Sequence, residues 1–115
     1  MLMIVLSGLI SACVTAPAKP PAEHEQLIDA KVRAQTACGL RYVKETDDEL
    51  SDAATVALAL AIRCRTEYDA ATEASVAYDN DRVKKMMRDK RGKRESLVEA
   101  YLPVVMKYRQ SLKTR

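Results

Sequence analysis

The residues able to do chemistry in this chain are few. There are three cysteines (Cys13, Cys38 and Cys64) and one histidine, His24. Nucleophilic catalysis needs a Ser, Cys or Thr beside a base that a third group orients, and a lone histidine at the start of a helical stretch suits a surface position better. Asp47, Asp48, Glu49 and Asp52 cluster where a helix begins, and capping and the helix dipole account for carboxylates there. Glu67, Asp69 and Glu73 have the spacing of a solvated helix face. Two thiols and His24, far from both in sequence, do not make a metal-ligand set. With three glycines in the whole chain, a Gly-rich phosphate loop and a nucleophile elbow are also missing. The reading is therefore a non-enzyme with no catalytic residue, no metal and no cofactor.

Charge is the stronger signal. The net charge of +3 conceals two halves: 14–81 holds seven basic and thirteen acidic residues, whereas 82–115 holds twelve basic and three acidic. The densest stretch is Arg82-Val83-Lys84-Lys85-Met86-Met87-Arg88-Asp89-Lys90-Arg91-Gly92-Lys93-Arg94, in which eight of thirteen residues are basic. Such a density attracts phosphate-rich surfaces, which makes Arg82, Lys84, Lys85, Arg88, Lys90, Arg91, Lys93 and Arg94 candidate contacts for an anionic lipid or lipopolysaccharide. A solvated helix face or a mobile loop would carry the same residues. Val83, Met86 and Met87 form an apolar edge beside them, suited either to lipid or to core packing. No aromatic interleaving accompanies the run, and nucleic acid is not the expected partner.

Residues Met1 to Ile10 are an uncharged apolar run. That is too short for a transmembrane helix, which needs about 20 residues, and suits the core of a secretory signal. It leads into Ile10-Ser11-Ala12-Cys13, an aliphatic residue, two small ones and a cysteine. The pattern resembles the lipobox of bacterial lipoprotein precursors, although the cation that usually opens such a leader is missing. The resemblance covers the first thirteen residues and implies a signal peptide over 1–12 and fatty acylation of Cys13. It also implies a chain lipid-anchored to a cell membrane and facing the periplasm, and Val14 in place of Asp implies the outer membrane. Val14-Thr15-Ala16-Pro17-Ala18-Lys19-Pro20-Pro21 then reads as an extended tether, completing a 13–22 linker that spans roughly 20–25 Å at polyproline rise.

The rest, 23–115, must supply the fold, and its pattern is all-α. The expected architecture is a small three-helix domain built on an antiparallel helical hairpin. Helix one, from Ala22 to about Lys44, carries Leu27, Ile28, Val32, Ala34, Cys38 and Tyr42 on one side, interrupted by Lys31 and Gln35. Thr46-Asp47-Asp48-Glu49 has the form of a capping box, with Ser51-Asp52 as a rival start a turn later. Helix two then follows Leu50, Ala54, Ala57, Ala61, Cys64 and Tyr68 to about Asn80, either turning at Asp79-Asn80-Asp81 or continuing to Gly92. A last helix from Glu95 or Ser96 to Leu112 presents Leu97, Tyr101, Val104, Val105, Tyr108 and Leu112. Pro103 inside it predicts a kink, or a break with a restart at Leu102.

Cys38 and Cys64 fall on the apolar stripes of neighbouring antiparallel helices, a good setting for a disulfide in an oxidising compartment. Two buried free thiols are the alternative. Their midpoint in sequence is Ser51, whereas the capping box puts the turn near Glu45, so pairing requires either a lopsided connection or a helix two that starts at Ser51.

These features suggest an envelope lipoprotein with a structural or interaction role. The alternatives are a small phage- or plasmid-type regulatory or exclusion lipoprotein that binds an envelope protein, and, were the leader not real, a cytosolic nucleic-acid-binding protein. Metabolic labelling with a palmitate analogue should mark the protein and be abolished by Cys13→Ser. An unlabelled, full-length cytosolic protein would refute the lipoprotein reading.

Overall fold

The computed structural model describes residues 22–114, so the leader, Cys13 and most of the tether lie outside the described residues. The described part is all-α, as expected, and contains five helices: α1 (Ala22–Thr46), α2 (Ala53–Arg63), α3 (Arg65–Val76), α4 (Asp81–Arg91) and α5 (Arg94–Lys113). The first and last expected helices are present. The long middle one is divided into α2, α3 and α4.

Each division has a local cause. At Cys64 the backbone leaves helical geometry (φ −97°, ψ 24°). Hydrogen bonds continue on both sides, from Cys64 N–H to the Leu60 carbonyl and from Tyr68 N–H to the Cys64 carbonyl, so α2 and α3 meet at a bend without an intervening loop. The turn at Asp79-Asn80-Asp81 is taken: Asn80 is extended and its side chain accepts from Val83 N–H, an N-cap that starts α4.

The α1–α2 connection settles the rival helix starts in favour of the later one. Thr46 is the last residue of α1 and its hydroxyl donates to the Tyr42 carbonyl at 2.8 Å, so it is not available as an N-cap. Asp52 caps α2 instead, accepting from Thr55 N–H at 2.7 Å. Between them Asp47 accepts from Glu49 N–H, and Asp48 accepts from Leu50 N–H, Ser51 N–H and the Ser51 hydroxyl. Those donors hold the Asp48 carboxyl down at about 2 and offset the left-handed backbone of Glu49 (φ 60°), which costs a non-glycine residue about 1–3 kcal/mol.

With the turn at 47–52, α1 runs antiparallel to the α2–α3 arm. Glu45 pairs with Arg63, Cys38 is bonded to Cys64 with Cα atoms 5.9 Å apart, and His24 packs edge-on against Tyr78 at 4.5 Å. This is the expected hairpin, with the expected disulfide. His24, however, is buried rather than on the surface. The N-terminal half of the α1 stripe is also displaced. Leu27 and Val32 are exposed, and the inward line runs through His24, Gln35, Cys38, Gly39 and Val43.

The core lies where α5 packs on α2 and on the end of α1. Val56, Ala57, Leu60 and Ala61 of α2 face Leu97, Tyr101, Val104 and Val105 of α5, joined by Cys38, Val43, Cys64 and Tyr68. Small residues set the spacing. A Cβ on Gly39 would stand 3.0 and 3.2 Å from ring carbons of Tyr101, so this glycine within a helix is needed for the close approach of α5. Leu50, placed on the apolar stripe of helix two by the sequence pattern, is exposed.

Helix α5 runs through Pro103 without the expected break or restart. Pro103 and Glu99, whose carbonyl loses its helical partner, are both on the exposed side, where water can satisfy the freed oxygen. Further along, Arg109 reaches the α1–α2 turn. Its Nε and Nη2 donate to the two carboxylate oxygens of Asp47 at 2.9 Å each, and Nη2 also donates to the Ser51 carbonyl at 2.6 Å. The Asp47 side chain has no exposed surface.

Two stability predictions follow from these tethers. Reducing the disulfide, or replacing both cysteines with serine, releases a crosslink spanning 26 residues in sequence. Loop-closure entropy assigns such a crosslink about 3 kcal/mol, so thermal unfolding should shift down by about 12–24 °C; an unchanged midpoint would contradict it. The Arg109 guanidinium holds the Asp47 carboxyl below its ordinary value, against the opposing effect of burial. The carboxyl titrates lower in the folded chain than in the unfolded one. Its contribution is therefore complete above about pH 4 and is lost as pH falls toward the folded value. Arg109→Gln should be less stable than wild type at pH 7, and the gap should close on acidification; a gap independent of pH would refute the assignment.

Candidate functional site

The basic run becomes α4, the turn at Gly92 and the start of α5, and its eight cations divide into five exposed ones without an ion pair, the two held arginines Arg88 and Arg91, and the half-buried Lys84. Helix α4 has no buried residue. Lys84, Val83, Met87 and Arg91 are half-buried on its inner side, whereas Arg82, Lys85 and Lys90 are exposed, as is Met86 at 58%. Lys93 and Arg94 continue the exposed group past the turn. None of these five cations enters an ion pair among the described residues. The apolar edge is thus split: Val83 and Met87 turn inward, and of the three Met86 alone is exposed, on a helix face shared by cations and Asp89.

Arg88 and Arg91 do not belong to that surface. Arg88 donates Nε and Nη2 to the two carboxylate oxygens of Glu73 at 2.8 and 2.7 Å, which holds Glu73 below and Arg88 above its usual range. Arg91 stacks over Tyr68 with its guanidinium carbon 4.0 Å from the ring centre. It donates Nε to the Thr72 hydroxyl at 2.8 Å and Nη2 to the Gln35 side-chain oxygen at 3.2 Å. Tyr68 answers by donating its hydroxyl to the Arg91 carbonyl at 2.6 Å. These contacts fasten α4 to α1 and α3.

Gln35 therefore breaks the apolar stripe of α1 for a reason: it is a buried acceptor for an arginine 56 positions away. That polar residue on an otherwise apolar face was the one sequence signal of this network. Nothing local in the sequence pointed to Arg91 as its partner, nor to Arg109 as the partner of Asp47.

Two shallow cavities flank Arg91. One, of about 390 Å³, is lined by Gln35, Met87, Lys90, Ser96 and Glu99 besides Arg91, and the other, of about 220 Å³, lies on the α3–α4 side. The remaining chemical cluster is Cys38, Cys64 and Glu67, whose ligand atoms lie within 4.8 Å of one another; with the two sulfurs bonded to each other, no thiolate is offered to an ion. Tyr101, fully buried, places its hydroxyl 3.5 Å from the Cys64 carbonyl. Burial pushes its phenol up to about 12, so it remains a neutral packing group.

Comparison with known proteins finds no family model, no curated protein and no solved structure that matches the chain. The residues themselves have to carry the functional reading.

Proposed function

We propose that this chain is the helical part of a membrane-anchored envelope lipoprotein that binds rather than catalyses, with the outer face of α4 held against an anionic surface. The observation that carries this reading is the sorting within α4. Arg82, Lys85 and Lys90 stay exposed without a carboxylate partner around an exposed Met86, while Arg88 and Arg91 hold the helix in place. A rigid helix with cations around an apolar side chain suits a headgroup layer, where charge attracts and the apolar group enters the boundary. Each cation near such a surface contributes about 1 kcal/mol.

The disulfide supports the compartment, since such bonds persist in oxidising surroundings. Among the described residues no helix is long and apolar enough to cross a membrane, so in this reading attachment falls to acylated Cys13. The anionic partner is then phospholipid or lipopolysaccharide at the outer membrane, or an acidic envelope protein.

The test uses full-length Cys13→Ser protein, so that acylation does not mask the contribution of the face. Vesicles containing anionic lipid should retain it at low salt and release it as salt screens the contact; purely zwitterionic vesicles should not retain it. Combined Arg82→Glu, Lys85→Glu and Lys90→Glu should weaken retention by about a hundredfold or more. Equal retention of the two proteins, or retention insensitive to lipid charge, would refute the proposal.

A further inference from the structure

The α3–α4 hairpin brings three guanidiniums, those of Arg65, Arg88 and Arg91, to the rim of the cavity of about 220 Å³. Two of them have carboxylate partners: Arg65 with Asp69 at 2.9 Å and Arg88 with Glu73 at 2.7 Å. Both pairs are about half exposed, so solvent screens them and a competing oxyanion can exchange with the carboxylate. Arg91 has no carboxylate partner. Its two acceptors, Thr72 and Gln35, are neutral oxygens. A guanidinium carries five N–H donors, and the Nη1 group of Arg91 takes no acceptor among the described residues.

The surroundings favour an anion there. The C-terminal carbonyls of a helix would ordinarily repel one, but at the end of α4 three of the last four are engaged. The Arg88 carbonyl accepts from Gly92 N–H, the Lys90 carbonyl from the Ser96 hydroxyl, and the Arg91 carbonyl from Tyr68. Stacking on Tyr68 fixes the plane of the Arg91 fork before any ligand arrives, and a fixed fork is what two-point recognition of an oxyanion requires. The cavity is of a size for one small anion with its water.

We infer that this cavity binds a phosphate-type oxyanion, with Arg91 as the central donor and Arg65 and Arg88 as flanking donors that exchange their carboxylates for it. The ligand is a phosphate group, either free or carried by a lipid headgroup. The site rests on the proposed function only for the second source, because Arg91 is distinct from the outward cations Arg82, Lys85 and Lys90.

The full chain, disulfide intact, is titrated with inorganic phosphate at constant ionic strength while the side-chain Nε–H resonances of its arginines are followed by NMR. The Arg91 signal should shift saturably with phosphate and not with chloride. Arg65→Gln, which alters only an exposed surface pair, should weaken binding, and Glu73→Gln, which frees Arg88, should tighten it by about two- to fivefold, the range set by an exposed ion pair. Arg91→Gln should abolish it, with circular dichroism confirming that the helices persist. A second arm compares vesicles bearing phosphatidic acid with vesicles bearing phosphatidylserine at equal charge. A phosphatidic acid preference lost with Arg65→Gln assigns the site to a headgroup, and no preference beside saturable phosphate binding assigns it to the free ion. An unsaturable Arg91 response, an equal response to chloride, or weaker binding in Glu73→Gln would overturn the inference. Loss of vesicle retention on reversing Arg82, Lys85 and Lys90 bears on the outer face alone, so the two proposals fail separately.

Discussion

The fold turns on Cys64. This one residue ends α2, begins α3, carries the bond to α1 and lies beneath Tyr101 of α5, and it has no exposed surface. A domain of this size buries a modest share of its surface and has a thin stability margin. Its aromatic content is five tyrosines with no Trp or Phe, so large apolar side chains contribute little. A covalent link at the point where three helices meet compensates for that shortage. It also fixes the bend between α2 and α3, allowing α2 to lie along α5 while α3 lies along the N-terminal half of α1.

Charge provides the remaining connections, and it does so across the chain. The acidic first part and the basic last part meet in Glu73–Arg88 and Asp47–Arg109, one pair at each end of the domain. They differ in physical character. The Glu73 pair is about half exposed on both sides, whereas the Asp47 carboxylate is enclosed and held by two donors of a single guanidinium. An enclosed charge must be matched, so the second pair defines the α1–α2 turn and the first is exchangeable. Of the cations in 82–94, Arg82, Lys85 and Lys90 make no ion pair among the described residues and are exposed on the outer side of α4.

The all-α class, the hairpin, the pairing of Cys38 with Cys64 and the stripe of Leu97, Tyr101, Val104 and Val105 were legible in the sequence, because a period of 3.6 residues and a cysteine on each stripe are local signals. Where two local signals competed, the structure chose. Thr46 and Asp52 are both good caps, and the disulfide register together with the Arg109 contact to the turn favours Asp52. Pro103 has a strong local tendency to end a helix, overridden because the carbonyl it strands faces water. Leu27, Val32 and Leu50 follow the periodic pattern yet remain exposed, since no neighbouring helix covers them.

By itself the sequence determined the all-α class with its first and last helices, which residues could be crosslinked, and that positive charge gathers in 82–94. Each follows from residue type and short-range spacing, which act within a few turns of chain. Only the tertiary structure decided which cations are spent on holding the fold and which remain on the surface. It also decided that Gln35, Thr72 and Tyr68 converge on Arg91. Those choices depend on side chains as many as 62 positions apart in sequence, and no local pattern encodes a contact at that range.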